Sequence, residues 1–135
     1  MIVDTHLHII DQSALAYPWL AGEPALNHDF SYADYAREAK RCGISDALFM
    51  EVDVDPADIE REIAYVAGKA AEPGSLLRGA IASCRPEEEG FAAFLERQRA
   101  GGFVKGFRRV LHVVPYDVSQ TSLFRENVRR LAGTG

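Results

Sequence analysis

The 135-residue sequence has little cysteine, no long apolar run and no basic tract. Its two cysteines, Cys42 and Cys84, are too few for a disulfide framework, and we expect both to be small core residues of a reduced, cytoplasmic protein. No apolar stretch approaches the ~20 residues of a membrane helix, and no secretion signal is visible, so we expect no membrane partner. The 15 basic and 20 acidic residues give a net charge of −5, which argues against nucleic acid as a partner.

The composition is that of an ordinary globular domain. Hydrophobic residues make up 47% of the chain and charged residues 26%, which excludes disorder, collagen and coiled coil as the main structure. The length suits one domain over residues 1–135, or part of one larger domain.

Hydrophobic periodicity and turn residues predict four rounds of a strand followed by a helix. We expect the strands at about 2–9, 46–54, 76–83 and 104–110, and the helices at about 31–42, 55–72, 86–101 and 122–131. This alternation predicts an α/β fold with a parallel sheet and crossover helices. Four units are half of an eight-fold β/α barrel, which has ~250 residues. The alternative is a small open sheet with helices on both faces, and the pattern does not separate the two.

Capping residues predict where several of these helices begin and end. Ser31 and Gly43 suit the N-cap and the left-handed closing position of the first helix. Asp55 is expected to cap the second helix. The acidic run at 87–89 suits the positive end of the third helix, where we expect it to be solvated.

A long irregular segment, about 11–30, separates the first strand from the first helix. Loops of this length in compact domains are often functional. Its aromatic residues Tyr17 and Trp19 either line a pocket or anchor the loop to the body of the domain.

The sharpest local motif is Asp-Thr-His-Leu-His at 4–8. Strand alternation predicts that Asp4, His6 and His8 share the face that would point into a barrel. Two imidazoles at this spacing can bind one divalent ion, and zinc accepts nitrogen ligands at ~2.0–2.1 Å. The pair could also be a chance occurrence. Its position at the carboxyl end of the first strand, where β/α barrels carry their active sites, favours a metal site.

The second strand places two carboxylates near the same end. If Leu48, Met50, Val52 and Val54 face the helices, Glu51 and Asp53 face inward near His8. A carboxylate there could orient water, hold a histidine tautomer or bind a sugar hydroxyl. Alternatively, Asp53 only begins the turn that leads to Asp55.

The fourth strand ends in two arginines. An inward Arg108 could bind a carboxylate or a carbonyl oxygen through its planar guanidinium. It could also form a structural ion pair with Glu51 or Asp53, and both roles are compatible. His112 follows shortly afterwards and is either an acid/base group or simply exposed.

Four segments in this order resemble the amidohydrolase-2 family: VDTHLHI at 3–9, YPWL at 17–20, FMEVD at 49–53 and VKGFRRVL at 104–111. They are most similar to its branch of metal-dependent hydrolases related to sugar-lactone hydrolases such as fuconolactonase. The resemblance implies a distorted β/α barrel in which His6 and His8 bind metal, an activated water attacks an ester carbonyl and Arg108 helps to bind the substrate. Some related lactonases work without a tightly held metal. Family members are about twice as long, and their later half supplies a further histidine and the aspartate that serves as general base.

These observations together predict a hydrolase that acts on a small-molecule lactone of a sugar acid or a similar small carboxylate. The assigned residues are His6 and His8 for a divalent ion, expected to be zinc, Glu51 and His112 for catalysis, and Arg108, Trp19 and Asp53 for substrate binding. One alternative is a catalytically inactive, truncated barrel that acts as a metal-binding or assembly module. A nucleotide-binding open sheet is disfavoured because no glycine-rich loop follows the first strand. We expect either a truncated piece or a natural half-barrel, and a half-barrel predicts a homodimer or higher oligomer that covers its open strand edges.

Overall fold

The structure, a computed structural model, describes residues 1–132. Four parallel strands form one sheet in the order β1-β2-β3-β4. The strands are β1 Ile2–Leu7, β2 Ile44–Met50, β3 Leu77–Ser83 and β4 Val104–Arg108, and the helices are α1 Tyr32–Arg41, α2 Ile59–Ala71, α3 Phe91–Gly101 and α4 Ser122–Arg129. Each strand is followed by one helix along the chain, which is the element order and strand order of half of a β/α barrel. The predicted α/β half-barrel is therefore confirmed.

The caps of α1 and the start of α2 agree with the prediction. The Ser31 hydroxyl accepts a hydrogen bond from the Asp34 amide at 3.1 Å, and Gly43 follows the helix with φ of 78°. The Asp55 carboxylate accepts from the Ala57 amide at 2.9 Å. It caps a short 3-10 turn, Pro56–Asp58, that leads directly into α2.

The acidic run at 87–89 lies in turns before α3, so the prediction that it forms the start of this helix was wrong. The cause is tertiary. The Asn127 side chain of α4 donates to the carbonyl oxygens of Pro86 at 2.9 Å and Glu88 at 3.2 Å. Glu87 in turn accepts hydrogen bonds from the Arg109 guanidinium. These partners hold the segment outside the helix, which begins at the buried Phe91.

The two faces of β2 are the reverse of the arrangement assumed from the sequence. Ala47 and Phe49 are fully buried in the core cluster with residues of α1 and α2, whereas Leu48 and Met50 are only half-buried. The opposite face is the one that would line a barrel interior, and within residues 1–132 it stays partly open.

A bulge in β1 changes which side chains of the histidine motif share a face. Asp4 pairs with Ala47 and Leu7 with Phe49, so β1 advances by three residues where β2 advances by two. Asp4 therefore faces the helices, where its carboxylate accepts a hydrogen bond from the Tyr35 hydroxyl of α1 at 2.8 Å. The expectation that Asp4 lies on the same face as the two histidines was wrong, because simple alternation does not anticipate the extra residue.

Both edges of the sheet are open in the part of the chain that the structure describes. There, β1 pairs only with β2 and β4 only with β3, and the apolar side chains of Ile2 and Val3 on the β1 edge are exposed. None of the helices in residues 1–132 is long and apolar enough to cross a membrane. Cys84 is buried as expected, but Cys42 is exposed at the end of α1, so the prediction that it belongs to the core was wrong.

Candidate active site

The long segment between β1 and α1 is tied to the body of the protein at several points. Ile10 and Phe30 form an antiparallel bridge that closes its two ends. Within it, the buried Tyr17 accepts a hydrogen bond from the Asp11 amide at 3.2 Å. The Ala16 amide donates to the Asp58 carboxylate, in the 3-10 turn just before α2, at 2.9 Å. The loop is thus an ordered wall above the carboxyl ends of the strands.

A cleft of about 650 Å³ lies between this loop and the carboxyl ends of β1, β2 and β4. Five residues singled out from the sequence line it: His8, Trp19, Asp53, Arg108 and His112. The rest of the lining is mostly apolar and includes Ile10, Leu26, Phe30, Val52, Val110 and Val113. An apolar cleft with a few convergent polar groups is typical of small-molecule sites.

The two histidines of β1 bring their outer ring nitrogens together. The Nε2 atoms of His6 and His8 are 3.2 Å apart, and their rings meet edge to face. The Nδ1 atom of His8 lies 2.9 Å from the Met50 carbonyl oxygen. A carbonyl only accepts, so Nδ1 of His8 carries the proton, and in the neutral ring Nε2 presents its lone pair toward His6. Partial desolvation lowers the pKa of His8, which favours this neutral ring.

The spacing of the pair fits two ligands of one tetrahedral zinc ion. Two nitrogens at ~2.0–2.1 Å from such an ion are about 3.3 Å apart, close to the 3.2 Å between the Nε2 atoms of His6 and His8. Within residues 1–132, no group of three or more His, Cys, Asp or Glu side chains could hold a metal. The described part of the chain thus offers two of the four ligands of a tetrahedral zinc site.

Arg108 reaches from the end of β4 to Glu51, just beyond β2. Its Nε donates to the Glu51 carboxylate, and its Nη2 donates to the Glu51 carbonyl oxygen at 2.9 Å. Glu51 is completely buried and is not among the residues that line the cleft. Of the roles considered from the sequence, its contacts match the ion pair with Arg108. Among residues 1–132 no hydrogen bond involves the Nη1 group of Arg108, so this group is available to a ligand.

Asp53 lines the cleft, and its backbone has a left-handed conformation that residues other than glycine rarely adopt. Its φ of 49° is the only positive value at a non-glycine residue within 1–132, and such strain is common at functional sites. The Asp53 amide donates to the second oxygen of Glu51 at 2.8 Å. Its carboxylate lies 3.5 Å from the guanidinium of Arg85.

Glu62 of α2 belongs to the surroundings of the site and was not noticed in the sequence. It is 1% exposed, and its Oε1 accepts from the Val52 amide at 3.2 Å. A signal was present: Ile59, Glu62, Ile63 and Val66 follow the i, i+3, i+4, i+7 spacing of a buried stripe. Burial raises the pKa of Glu62 to about 8, so this carboxyl is mostly protonated at neutral pH.

The comparisons with known proteins identify the family. A family model described as amidohydrolase, of the amidohydrolase-2 type, matches residues 3–135, and the chain belongs to this family. Among solved structures, an amidohydrolase 2 from Bifidobacterium longum subsp. infantis is 27% identical with a TM-score of 0.70, and the match covers 99% of this chain and 48% of that one. No curated protein matches.

Two more distant structures share the fold. An amidohydrolase from Burkholderia multivorans with bound Zn is 19% identical with a TM-score of 0.73, and the match covers 96% of this chain and 44% of that one. A probable 2-pyrone-4,6-dicarboxylic acid hydrolase from Acinetobacter baumannii, with citric acid bound, is 10% identical with a TM-score of 0.65, and the match covers 98% and 46%. The chain spans about half the length of these structures.

Proposed function

We propose that the protein hydrolyses a lactone of a sugar acid or a similar small carboxylate in the cleft. The observation that carries the proposal is the approach of the Nε2 atoms of His6 and His8 to 3.2 Å, with Nδ1 of His8 at the Met50 carbonyl. His8 lines the cleft, and His6 lies beside it without lining it. Family membership and the similarity to a probable 2-pyrone-4,6-dicarboxylic acid hydrolase support a hydrolytic reaction. Which lactone is hydrolysed depends on the cleft lining.

A divalent ion, expected to be zinc, would be held by His6 and His8, and when bound it polarises a carbonyl and makes water a better nucleophile. The described residues supply two ligands, so a further ligand or solvent would complete the set. The ion is not assumed to be tightly bound.

The side chains of the cleft then have distinct tasks. Hydrolysis adds the oxygen of water to the lactone carbonyl carbon, breaks the ring carbon–oxygen bond and delivers a proton to the departing alkoxide. The Nη1 group of Arg108 binds the substrate carboxylate or carbonyl oxygen, with Glu51 holding its guanidinium. Trp19 packs against the ring, Asp53 accepts from a hydroxyl, and His112 transfers the proton.

The test combines zinc binding with lactone turnover. We expect the full chain to bind Zn²⁺ and to hydrolyse at least one member of a panel of aldonolactones. His6→Ala and His8→Ala should each abolish both properties, because one imidazole leaves a single ligand. His28→Ala is the matched control, since His28 is an exposed histidine of the loop wall whose ring lies against Phe30 and not against the His6–His8 pair. Equal zinc binding and turnover in all three variants would rule out the proposed site.

Arg108→Lys tests the substrate-binding assignment. Lysine keeps the charge but lacks the planar guanidinium that contacts Glu51 through Nε and Nη2 and presents Nη1 to a ligand. We expect KM to rise about tenfold or more, equivalent to about 1.4 kcal/mol of lost binding. Arg99→Lys on the exposed face of α3 is the control. An unchanged KM in Arg108→Lys would remove Arg108 from the binding site.

The second candidate function is a catalytically inactive metal-binding or assembly module. It is favoured by one observation: residues 1–132 hold no third metal-ligating side chain near the pair. This candidate predicts zinc binding that depends on His6 and His8, with no turnover of any lactone or ester. The same experiment therefore separates the two functions.

We also propose that two or more copies associate. The support is the open edge of β1, with exposed Ile2 and Val3, and the open edge of β4. Light scattering should give at least twice the mass of one chain. Ile2→Lys combined with Val3→Lys should shift the protein toward the monomer, and a monomer for the unmodified chain in concentrated solution would contradict the proposal.

A further inference from the structure

Glu62 has one satisfied oxygen and one unsatisfied oxygen in a fully buried position. Its Oε1 accepts from the Val52 amide at 3.2 Å. Its Oε2 has no hydrogen-bond partner among the described residues. A buried polar atom without a partner costs free energy, so the position of Glu62 needs an explanation beyond packing.

Glu62 contacts the segment of residues 51–53. This segment hydrogen-bonds both Trp19 and Arg108, the two cleft side chains that would face a ligand. The Val52 carbonyl accepts from the Trp19 indole at 2.9 Å, and Glu51 accepts both hydrogen bonds of Arg108. At its end, Asp53 has the left-handed backbone described above. A strained conformation persists only where its surroundings fix it, and the hydrogen bond from the Val52 amide to Glu62 is such a restraint.

We propose that Glu62 is a positioning residue of the cleft, which fixes the 51–53 segment through the Val52 amide and thereby places both Trp19 and Arg108. Glu62 itself is fully buried and does not line the cleft, so it acts only through these groups. The inference rests on the proposed function for its kinetic readout. Its spectroscopic readout is independent of catalysis.

Glu62 performs this task as an uncharged acid. The protonated carboxyl keeps one oxygen as acceptor for the Val52 amide and carries its proton on the other. Ionisation would place a second negative charge beside the carboxylate of Glu51. The ionisable groups that face Glu62 from the loop wall, from the 51–53 segment and from β4 are Tyr17, Glu51, Asp53 and Arg108.

The experiment uses Trp19 as a probe, because it is the only tryptophan in the chain. Glu62→Gln keeps an acceptor for the Val52 amide, whereas Glu62→Leu removes it. Asn127→Leu is the matched control, since it removes another buried side chain that hydrogen-bonds backbone groups away from the cleft. Tryptophan emission and iodide quenching are measured on each folded variant of the full chain.

We expect Glu62→Leu to shift the emission to longer wavelength and to increase iodide quenching, while Glu62→Gln and Asn127→Leu match the unmodified protein. In lactone turnover, Glu62→Leu should raise KM about tenfold with a smaller change in kcat, and Glu62→Gln should restore the KM. Emission from Glu62→Leu that equals that of Asn127→Leu would overturn the inference. Loss of turnover in every protein, the unmodified chain included, would instead count against the proposed function.

A pH titration keeps the inference testable if Glu62→Leu does not fold. Between about pH 6 and 9.5, the Trp19 quenching of the unmodified protein should change with a midpoint near 8, since the Glu62 pKa is about 8. Glu62→Gln should lack the transition near pH 8. Tyr17 does not interfere, because burial raises its pKa to about 12. Identical curves for the two proteins would overturn the inference.

Discussion

Glu62→Gln should change how the stability of the protein depends on pH. The Glu62 carboxyl is 1% exposed, and burial raises its pKa from an ordinary 4.5 to about 8 in the folded state. In the unfolded chain the group returns to its ordinary value. The unfolded state therefore releases a proton that the folded state retains at intermediate pH, and the free energy of unfolding falls as pH rises through this window.

The magnitude follows from the width of the window. Each pKa unit corresponds to about 1.4 kcal/mol, so the unmodified protein should lose about 3 kcal/mol between about pH 5.5 and 7.5 relative to Glu62→Gln. The difference should level off above about pH 8, where Glu62 is charged in both states. Glutamine has nearly the same shape and still accepts from the Val52 amide, so packing should contribute little.

The assay is urea unfolding of both proteins at several pH values, with Glu89→Gln as the control for an exposed carboxyl. Subtracting the Glu62→Gln curve from that of the unmodified protein removes the contribution of all other titrating groups. A difference that does not vary with pH would refute the claim that Glu62 is buried and uncharged. If the unmodified protein instead loses stability relative to Glu62→Gln as the pH falls, Glu62 is stabilised as an anion.

Three further predictions concern the fold and are checked by thermal unfolding. Ser31→Ala removes the side-chain acceptor at the start of α1 and should cost about 1 kcal/mol, whereas no loss would mean that the cap is not formed in solution. Gly79→Ala would place a Cβ 2.9 Å from the Phe103 carbonyl oxygen, so the strands β3 and β4 must shift and we expect clear destabilisation; an unchanged melting temperature would contradict this close approach. Phe49→Ala empties the centre of the core and should cost about 3–5 kcal/mol, and a loss below about 1 kcal/mol would mean that β2 faces the other way.

The order of elements and their local ends could be predicted from the sequence, because these depend on interactions between near neighbours. Ser31 and Gly43 set the limits of α1 through their own side chain and backbone, without help from distant residues. The proximity of His6 and His8 was likewise predictable, because side chains two positions apart on an extended segment point to the same side and lie close together, whatever surrounds them. Arg108 was predictable as a site candidate because the ends of parallel strands meet at one edge of a sheet.

Which face of a strand a side chain occupies, and which residues it contacts, depended on the tertiary structure. The β1 bulge, which separates Asp4 from the histidines, exists only in the register between two strands. From the sequence, Leu48 and Met50 of β2 were expected to face the helices. In the structure Ala47 and Phe49 do so instead, because packing between distant elements decides which face of a strand is buried.

What the sequence by itself determined is therefore the local chemistry: an α/β alternation, two imidazoles side by side and an arginine at a strand end. What only the tertiary structure decided is how these groups are supported. Glu51 could have faced a substrate, but burial and the guanidinium of Arg108 turned it into a support. Glu62 became part of the same network because burial on α2 deprives its carboxyl of water, and desolvation is a property of the assembled fold.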